Sequence, residues 1–302
     1  MDSHLVPPGL VLIAGGLLLP LLGARLRPAF ILVLPLLALA LAWNVPDGPV
    51  LRAPFLGYEL TLIEGSKLSR LFAVVFAIMA FAGGLFALNQ RRTVELAAAF
   101  VYAGSAIGVA FAGDLITLFI NWELMAIGST IVVWSAGPGA QRAGLRYAAM
   151  HLLGGVILMA GIAGEVGTTG SIAFGKMSAD TIPRWLILIG FLLNAGAPPL
   201  SAWLPDAYPE SSWSGMVFLS AFTTKAAVYV LLRGFPGSEL LVYVGLYMIF
   251  YGIVYAILEN DMRRILAYSI VNQVGFMVVG IGIGTEMALN GTAAHAFTHI
   301  VY

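Results

Sequence analysis

The sequence predicts an all-α protein that crosses a membrane about ten or eleven times. Of the 302 residues, 60% are hydrophobic and only 10% are charged, whereas a soluble domain carries about 25% charged residues. Apolar runs of roughly 20 residues recur along the whole chain, which is the length that a spanning helix needs. These two observations together exclude a soluble globular protein.

The predicted helices are the apolar segments between charged and turn residues. They fall at about 8–24, 28–44, 68–89, 94–112, 114–136, 143–165, 183–198, 212–232, 240–258 and 264–284, with an eleventh from about 291. The longest predicted loops are 45–67 and 166–182. The eleventh segment reaches residue 302 after only about three turns, fewer than the roughly 20 residues of a spanning helix. We therefore expect the chain to be a fragment.

The arrangement of basic residues predicts the orientation in the membrane. Eight arginines form tight clusters in the loops after the first, third, fifth and ninth segments: Arg25, Arg27, Arg91, Arg92, Arg142, Arg146, Arg263 and Arg264. Cytoplasmic loops carry an excess of Lys and Arg. We therefore expect these loops to be cytoplasmic and the N-terminus to lie outside, in the inner membrane of a bacterium.

Several functional classes are excluded by composition and motif. The net charge is +0, which gives no electrostatic basis for nucleic-acid binding. The chain has no cysteine, so it has no thiol nucleophile and no cysteine ligand for an iron–sulfur cluster. It has no Walker loop, no strand-borne GxGxxG and no nucleophile elbow. We expect no cofactor, no metal and no redox or hydrolytic site in this chain.

Two ionisable residues lie near the centres of predicted helices. Glu123 is in the fifth segment and Lys225 is in the eighth. A charge at this depth costs several kcal/mol, so such residues usually have a function. One interpretation is a structural ion pair, or a lysine that extends towards the interface. The other is a protonatable pair that takes up and releases protons as its surroundings change.

Three histidines are weaker candidates. His151 opens an apolar, glycine-rich run, and either a proton relay or a backbone hydrogen bond explains it. His295 and His299 are four residues apart and share a helix face. The spacing suits a metal, but no glutamate lies between them as in a zinc protease and no third ligand is evident. A hydrated proton path and simple packing both remain open.

The segment 194–210 predicts a broken helix. Its prolines are Pro198, Pro199, Pro205 and Pro209, and each proline in a helix interior removes a hydrogen bond and clashes with the preceding turn. Broken helices often mark ion sites in transporters. Because Asp206 and Glu210 are typical of a loop, a plain loop that leaves the membrane at Pro198 remains the alternative.

Four segments of this chain resemble a known family. They are Trp203-Leu-Pro-Asp-Ala-Tyr-Pro-Glu210, Asn121-Trp122-Glu123, Glu259-Asn-Asp-Met-Arg-Arg-Ile-Leu-Ala-Tyr-Ser269 and Ala294-His-Ala-Phe-Thr-His-Ile-Val-Tyr302. They are similar to motifs of the antiporter-like membrane subunits of respiratory complex I, membrane-bound hydrogenases and Mrp cation/proton antiporters. The third and fourth look closest to the D-type subunit of the Mrp antiporters.

The resemblance implies a fold built from two inverted repeats. It implies peripheral helices in 1–112, a first repeat with a proton path in 113–260, and an incomplete second repeat in 261–302 of one integral membrane domain. Glu123 would be the carboxylate of the fifth helix, and Lys225 the lysine of the following helix pair. Asn194 stands where the family has a further lysine, and Tyr208 replaces a histidine.

The function implied by the resemblance is proton movement in a multisubunit Na+/H+ antiporter. Glu123 and Lys225 would carry it, supported by Asn194, Pro198, Pro199, Asp206 and the three histidines. The expected partners are other membrane subunits, protons, monovalent cations and lipid. One alternative is a pumping subunit of complex I or a hydrogenase, which would make the chain part of a translocase. The other is a non-conducting structural subunit, which Asn194 favours because it cannot titrate.

Overall fold

The computed structural model describes residues 6–302 as a largely helical chain. Its helices are α1 Pro8–Leu18, α2 Arg27–Trp43, α3 Lys67–Phe86, α4 Thr93–Phe111, α5 Leu115–Trp134, α6 Gln141–Thr169, α7 Ile182–Ala195, α8 Trp203–Ala207, α9 Trp213–Ala221, α10 Thr223–Gly234, α11 Leu240–Leu258, α12 Met262–Ile283 and α13 Glu286–Val301. The two strands are β1 Gly48–Phe55 and β2 Tyr58–Gly65.

The chain divides into two compact units. The first consists of Met1–Pro138 and Ser211–Phe222, and the second of Gly139–Glu210 and Thr223–Tyr302. In the first unit α4 packs against α1, α3 and α5, and α9 lies against α3. In the second unit α6 packs on α7 and α8, α11 pairs with α12, and α10 lies against α7, α12 and α13.

The prediction of a polytopic all-α membrane protein is confirmed. Within residues 6–302, seven helical segments are long and apolar enough to cross a membrane: α3, α4, α5, Pro138–Thr169 with α6, Trp213–Gly234 with α9 and α10, α11 and α12. Three shorter apolar segments, Pro8–Leu21, Arg27–Trp43 and Ile182–Ala195, accompany them. The seven long segments, the three shorter ones and α13 make eleven apolar helical segments within residues 6–302, which is the number that the hydropathy pattern predicted.

The segment 45–67, which we predicted as a loop, contains an antiparallel hairpin of β1 and β2. Its turn places Leu56 at φ 47° and Gly57 at φ 85°, and a two-residue turn with both central residues at positive φ is typical of hairpins. Asp114, the N-cap of α5, accepts hydrogen bonds from the backbone N–H of Thr61 at 2.7 Å and of Thr117 at 2.7 Å. One carboxylate thus joins the hairpin to the start of a spanning helix.

The backbone is irregular where the prolines predicted it. α7 ends at Ala195, and Gly196 follows with a left-handed φ of 79°, as in a helix C-cap. The Pro198–Pro199 bond is cis, and the short α8 is the only helix between this bond and α9. The chain therefore has no continuous helix between Gly196 and Ser212.

A second interruption was not predicted. The expected continuous helix over 212–232 is two helices, α9 and α10, separated by Phe222 with φ −105° and ψ −62°. A helix end leaves carbonyl groups without intrahelical partners, and the Tyr102 hydroxyl lies 3.5 Å from the Leu219 carbonyl in the first unit. Because no proline or glycine marks this point, residue propensity alone does not reveal it.

Candidate functional site

Glu123 lies in the first unit, as the ninth of the twenty residues of α5, and its side chain is partly buried. Its Oε1 atom is buried and accepts no hydrogen bond from the part of the chain that the structure describes, residues 6–302. Two residues earlier on the helix, Asn121 donates from Nδ2 to the Thr117 carbonyl at 2.9 Å. The Glu123 carboxylate thus lies at mid-helix, and its Oε1 has no hydrogen-bond partner within residues 6–302.

Lys225 lies in the second unit and is only 1% exposed. It is the third residue of α10, directly after the interruption at Phe222. α10 packs against α7, α12 and α13, and the charge of Lys225 interacts electrostatically with His295 and His299 of α13. The structure therefore brings three of the predicted residues into one neighbourhood.

The two histidines of α13 have a partner that sequence reasoning missed. His295 Nε2 lies 2.8 Å from Gln273 Oε1 on α12, and the His295 and His299 rings are 6.2 Å apart between centroids. The signal in the sequence is the polar pair Asn272 and Gln273 inside the otherwise apolar run 270–283. No group of three His, Cys, Asp or Glu side chains able to hold a metal occurs within residues 6–302.

His151 and Asn194 form a second polar contact in the same unit. His151 on α6 is 4% exposed, and Asn194 at the end of α7 is 2% exposed. The Asn194 side chain interacts with the His151 ring. That ring packs on Tyr147 at 4.1 Å and Trp203 at 4.9 Å between centroids, and Trp203 Nε1 donates to the Leu193 carbonyl at 3.0 Å. The indole thus fixes α8 to the last turn of α7.

The remaining predicted residues lie around the break. Pro198 and Pro199 form the turn after α7. Asp206 on α8 is not fully buried, and both its carboxylate oxygens accept hydrogen bonds from Arg146 of α6 at 2.7 Å. Tyr208 is completely buried and packs on Trp203 at 5.8 Å between centroids. The break is therefore part of a packed region in which α6, α7 and α8 meet.

The first unit contains a buried carboxylate that sequence reasoning also missed. Glu95, in the first turn of α4, is 1% exposed. Its Oε1 accepts hydrogen bonds from Ser212 Oγ, from Ser214 Oγ at 3.0 Å and from Gln90 Nε2 at 3.4 Å, while Oε2 lies 3.5 Å from Arg92 Nη1. We call these five residues the Glu95 cluster. Its signal was hidden because Glu95 lies at a helix end, where acidic residues are common.

The buried protonatable side chains and the broken helices define a polytopic membrane protein that keeps ionisable groups within its helical packing. The chain belongs to the family described as NADH:quinone oxidoreductase/Mrp antiporter, transmembrane, which matches residues 112–302. The family membership predicted from the four motifs is confirmed.

Curated relatives include subunits of two kinds of complex. The chain is 26% identical over 281 residues to the D-type subunit of the Na(+)/H(+) antiporter of Alkalihalophilus pseudofirmus, covering 86% of this chain and 55% of that protein. It is 29% identical over 225 residues to the M-type subunit of the NADH-quinone oxidoreductase of Pseudomonas aeruginosa, covering 65% of this chain and 44% of that protein. The chain thus spans about half the length of the curated relatives that it matches.

Solved structures show the same fold. The chain superposes on a chain of the Mrp complex from a Dietzia species with a TM-score of 0.84 and 25% identity, covering 97% of this chain and 36% of that chain. It superposes on a chain of respiratory complex I from Thermus thermophilus with a TM-score of 0.80 and 22% identity, covering 98% and 67% of the two chains. The second likeness concerns the fold alone.

Proposed function

We propose that this chain is a proton-path subunit of a multisubunit monovalent cation/proton antiporter, equivalent to the D-type subunit of the Mrp complexes. The observation that carries the proposal is the position of Lys225, which is fully buried after a helix interruption and interacts with two histidines. A buried amine surrounded by neutral, protonatable groups can change its protonation state when a neighbouring charge changes. The similarity to the antiporter relative from Alkalihalophilus pseudofirmus supports the choice of complex.

Glu123 and Lys225 have different roles in this proposal. Glu123 is the protonatable carboxylate of the first unit, and its Oε1, which has no hydrogen-bond partner within residues 6–302, is a position for water or a proton. Lys225 exchanges protons with the His295 and His299 pair, which Gln273 orients through the 2.8 Å contact with His295.

The broken helix supports the same path. Asn194 and the Pro198–Pro199 break contribute polar side-chain and backbone groups to the proposed proton path. Asp206, paired with Arg146, supports the break from α8.

The expected setting follows from the same similarity. Relatives of this fold are chains of membrane complexes, so the partners of this chain would be further membrane subunits. The clustered arginines support a cytoplasmic location of their loops in a bacterium and an N-terminus outside. The domain division proposed from the resemblance is 1–112 peripheral, 113–260 first repeat and 261–302 second repeat.

The test is proton uptake by vesicles that contain the native assembly with each variant. A sodium or potassium gradient drives the reaction, and a pH-sensitive dye reports it. Glu123→Gln and Lys225→Met should each abolish cation-driven proton movement, while Glu59→Gln on the exposed hairpin should keep it. Assembly is checked by copurification of partner subunits. Unchanged antiport in Glu123→Gln would contradict the mechanism.

A second candidate is a pumping subunit of an NADH-quinone oxidoreductase or a membrane hydrogenase, which the similarity to the Pseudomonas aeruginosa relative favours. Redox chemistry in partner subunits would then drive proton movement through the same residues. The same vesicle assay distinguishes the two candidates. If protons move when a reduced electron donor is added but not when a cation gradient is applied, the chain is a pumping subunit of this second kind. The third candidate is a structural subunit. In that case neither cation-driven nor redox-driven proton movement depends on Glu123 or Lys225.

A further inference from the structure

The contact between His151 and Asn194 has the features of a site that moves protons. Both side chains are more than nine-tenths buried. Within residues 6–302, neither ring nitrogen of His151 forms a hydrogen bond of good geometry, and neither does Asn194 Nδ2. Buried polar groups in proteins are nearly always satisfied, by protein or by ordered water. The two side chains interact with each other but without good hydrogen-bond geometry, and this combination points to water as a further partner.

The packing of α6 on α7 is less tight beside Asn194 than elsewhere along the same pair of helices. A methyl group added to Gly154, one helical turn after His151, would lie 3.6 Å from Asn194 Oδ1 and from the side chain of Leu193, which is ordinary van der Waals contact. At Gly161 and Gly190, in the same pair of helices, an added methyl would come within 2.8 Å of a backbone or Cβ atom. The α6–α7 interface is thus close-packed at these two glycines and looser at Gly154, next to the Asn194 side chain.

Aromatic rings and paired charges surround His151. The His151 ring packs against the rings of Tyr147 and Trp203, which also contact each other at 5.5 Å between centroids, and aromatic rings near a cation attract it. The elements packed on α6 are α7 and α8. Their charged groups, Arg184 and Asp206, are paired with Glu165 and Arg146 of α6, so neither is the counter-ion of His151. Tyr147 and Tyr208 are buried ionisable groups of this packed region, and Arg142 is an exposed one at the start of α6.

We propose that His151 is a proton-carrying residue and that Asn194 orients the water that serves it. A protonated water (H3O+) delivers its extra proton to one ring nitrogen, which forms imidazolium and leaves a neutral water. The other ring nitrogen then releases its proton to the next water, which becomes H3O+, and the ring returns to the neutral state as the opposite tautomer. Asn194 gains and loses no proton: its Oδ1 accepts from water and its Nδ2 donates.

This inference rests on the proposed function and assigns one step of it to a named side chain. The decisive variants are His151→Gln, which keeps hydrogen bonding but cannot titrate, and the double variant His151→Gln with Asn194→Lys. His151→Gln should lower proton uptake by the native assembly at least about tenfold. The double variant should recover a large part of the uptake, because the lysine restores a titratable group on the other side of the same contact.

Space filling gives an independent test. Gly154→Ala should lower uptake about threefold, because the methyl group displaces water beside Asn194. The matched control is Gly167→Ala, which lies on the same helix with no atom within 4 Å of the added methyl and should leave uptake unchanged. All variants are first compared for copurification of partner subunits and for thermal unfolding.

The outcomes separate the two proposals. Normal uptake in His151→Gln, together with lost uptake in Lys225→Met, would overturn this inference and leave the proposed function in place. A loss in His151→Gln that Asn194→Lys does not restore would also overturn it, since a structural role explains that result. Absence of cation-driven and redox-driven uptake in the wild-type assembly would overturn both. Loss on His151→Gln, recovery in the double variant and a smaller loss in Gly154→Ala would support the inference.

Discussion

Two buried polar clusters, one in each compact unit, differ in how completely they are hydrogen-bonded. In the first unit, Oε1 of Glu95 accepts from three side chains, and Oε2, which forms no hydrogen bond within residues 6–302, lies 3.5 Å from Arg92 Nη1. In the second unit, His151 and Asn194 keep three polar atoms without a well-formed bond among residues 6–302. The cluster with more hydrogen bonds holds one arrangement of helices, whereas the cluster with more unsatisfied atoms can exchange partners. We infer that the first cluster is structural, and the second is the one proposed above to carry protons.

The largest expected effect on stability is that of Glu95→Ala. It removes the acceptor for Ser212, Ser214 and Gln90 and leaves buried donors without a partner, so unfolding free energy should fall by about 3 kcal/mol. Thermal unfolding of the purified protein in detergent measures it. If Glu95→Ala is as stable as the wild type, the Glu95 cluster is not structural and the comparison fails.

Ser212→Ala should have the next largest effect. The Ser212 hydroxyl accepts from the Gly215 N–H as the N-cap of α9 and also bonds Glu95. Losing both should cost about 2 kcal/mol. Thr285→Ala is the matched control, because Thr285 caps α13 through the Ala288 N–H and should cost only about 1 kcal/mol. Equal losses in the same unfolding assay would show that the bond to Glu95 contributes nothing.

Trp203→Phe tests the second unit. It removes the Nε1 bond to the Leu193 carbonyl but keeps most of the ring packing, so we expect a loss of about 1 kcal/mol. Amide hydrogen exchange should become faster at Gly196 and Ala197, whose N–H groups close the end of α7. The control is Trp185→Phe, since Trp185 is an exposed residue at the start of α7. Unchanged exchange at both amides would show that the indole does not fix this end.

The smallest effect is expected at the hairpin. Arg52 and Glu59 form an ion pair at 3.2 Å with side chains 40% and 64% exposed. A double-mutant cycle of the two alanine variants should give a coupling energy below about 1 kcal/mol, because solvent weakens exposed pairs. A coupling as large as the loss in Glu95→Ala would mean that burial does not distinguish the two carboxylates.

Sequence reasoning identified the spanning segments and the most unusual charges. Hydrophobic runs predicted the helices because each must satisfy its own backbone in lipid. Glu123 and Lys225 were evident for the same reason, since a charge at the centre of an apolar run is costly wherever the helix packs. The density of prolines predicted the break after α7, because proline acts on its own backbone.

Interactions between distant segments could not be predicted in this way. Glu95 looked like an ordinary acidic residue near a helix start until Ser212, 117 residues later, was placed beside it. The interruption at Phe222 carries no proline or glycine, and the hairpin between α2 and α3 was hidden in what was predicted as a loop. In each case a contact between separate parts of the chain decides the structure, and local propensity does not encode it.

The sequence by itself determined that this is a membrane protein of the antiporter-like family, with Glu123 and Lys225 as its most costly charges, because hydropathy and short motifs are local properties. Only the tertiary structure decided which buried groups are satisfied. It placed His151 against Asn194 and surrounded Glu95 with donors, because hydrogen bonding depends on the distance and direction between atoms on different helices. Whether a buried charge stabilises the fold or remains available for proton transfer is therefore a property of packing.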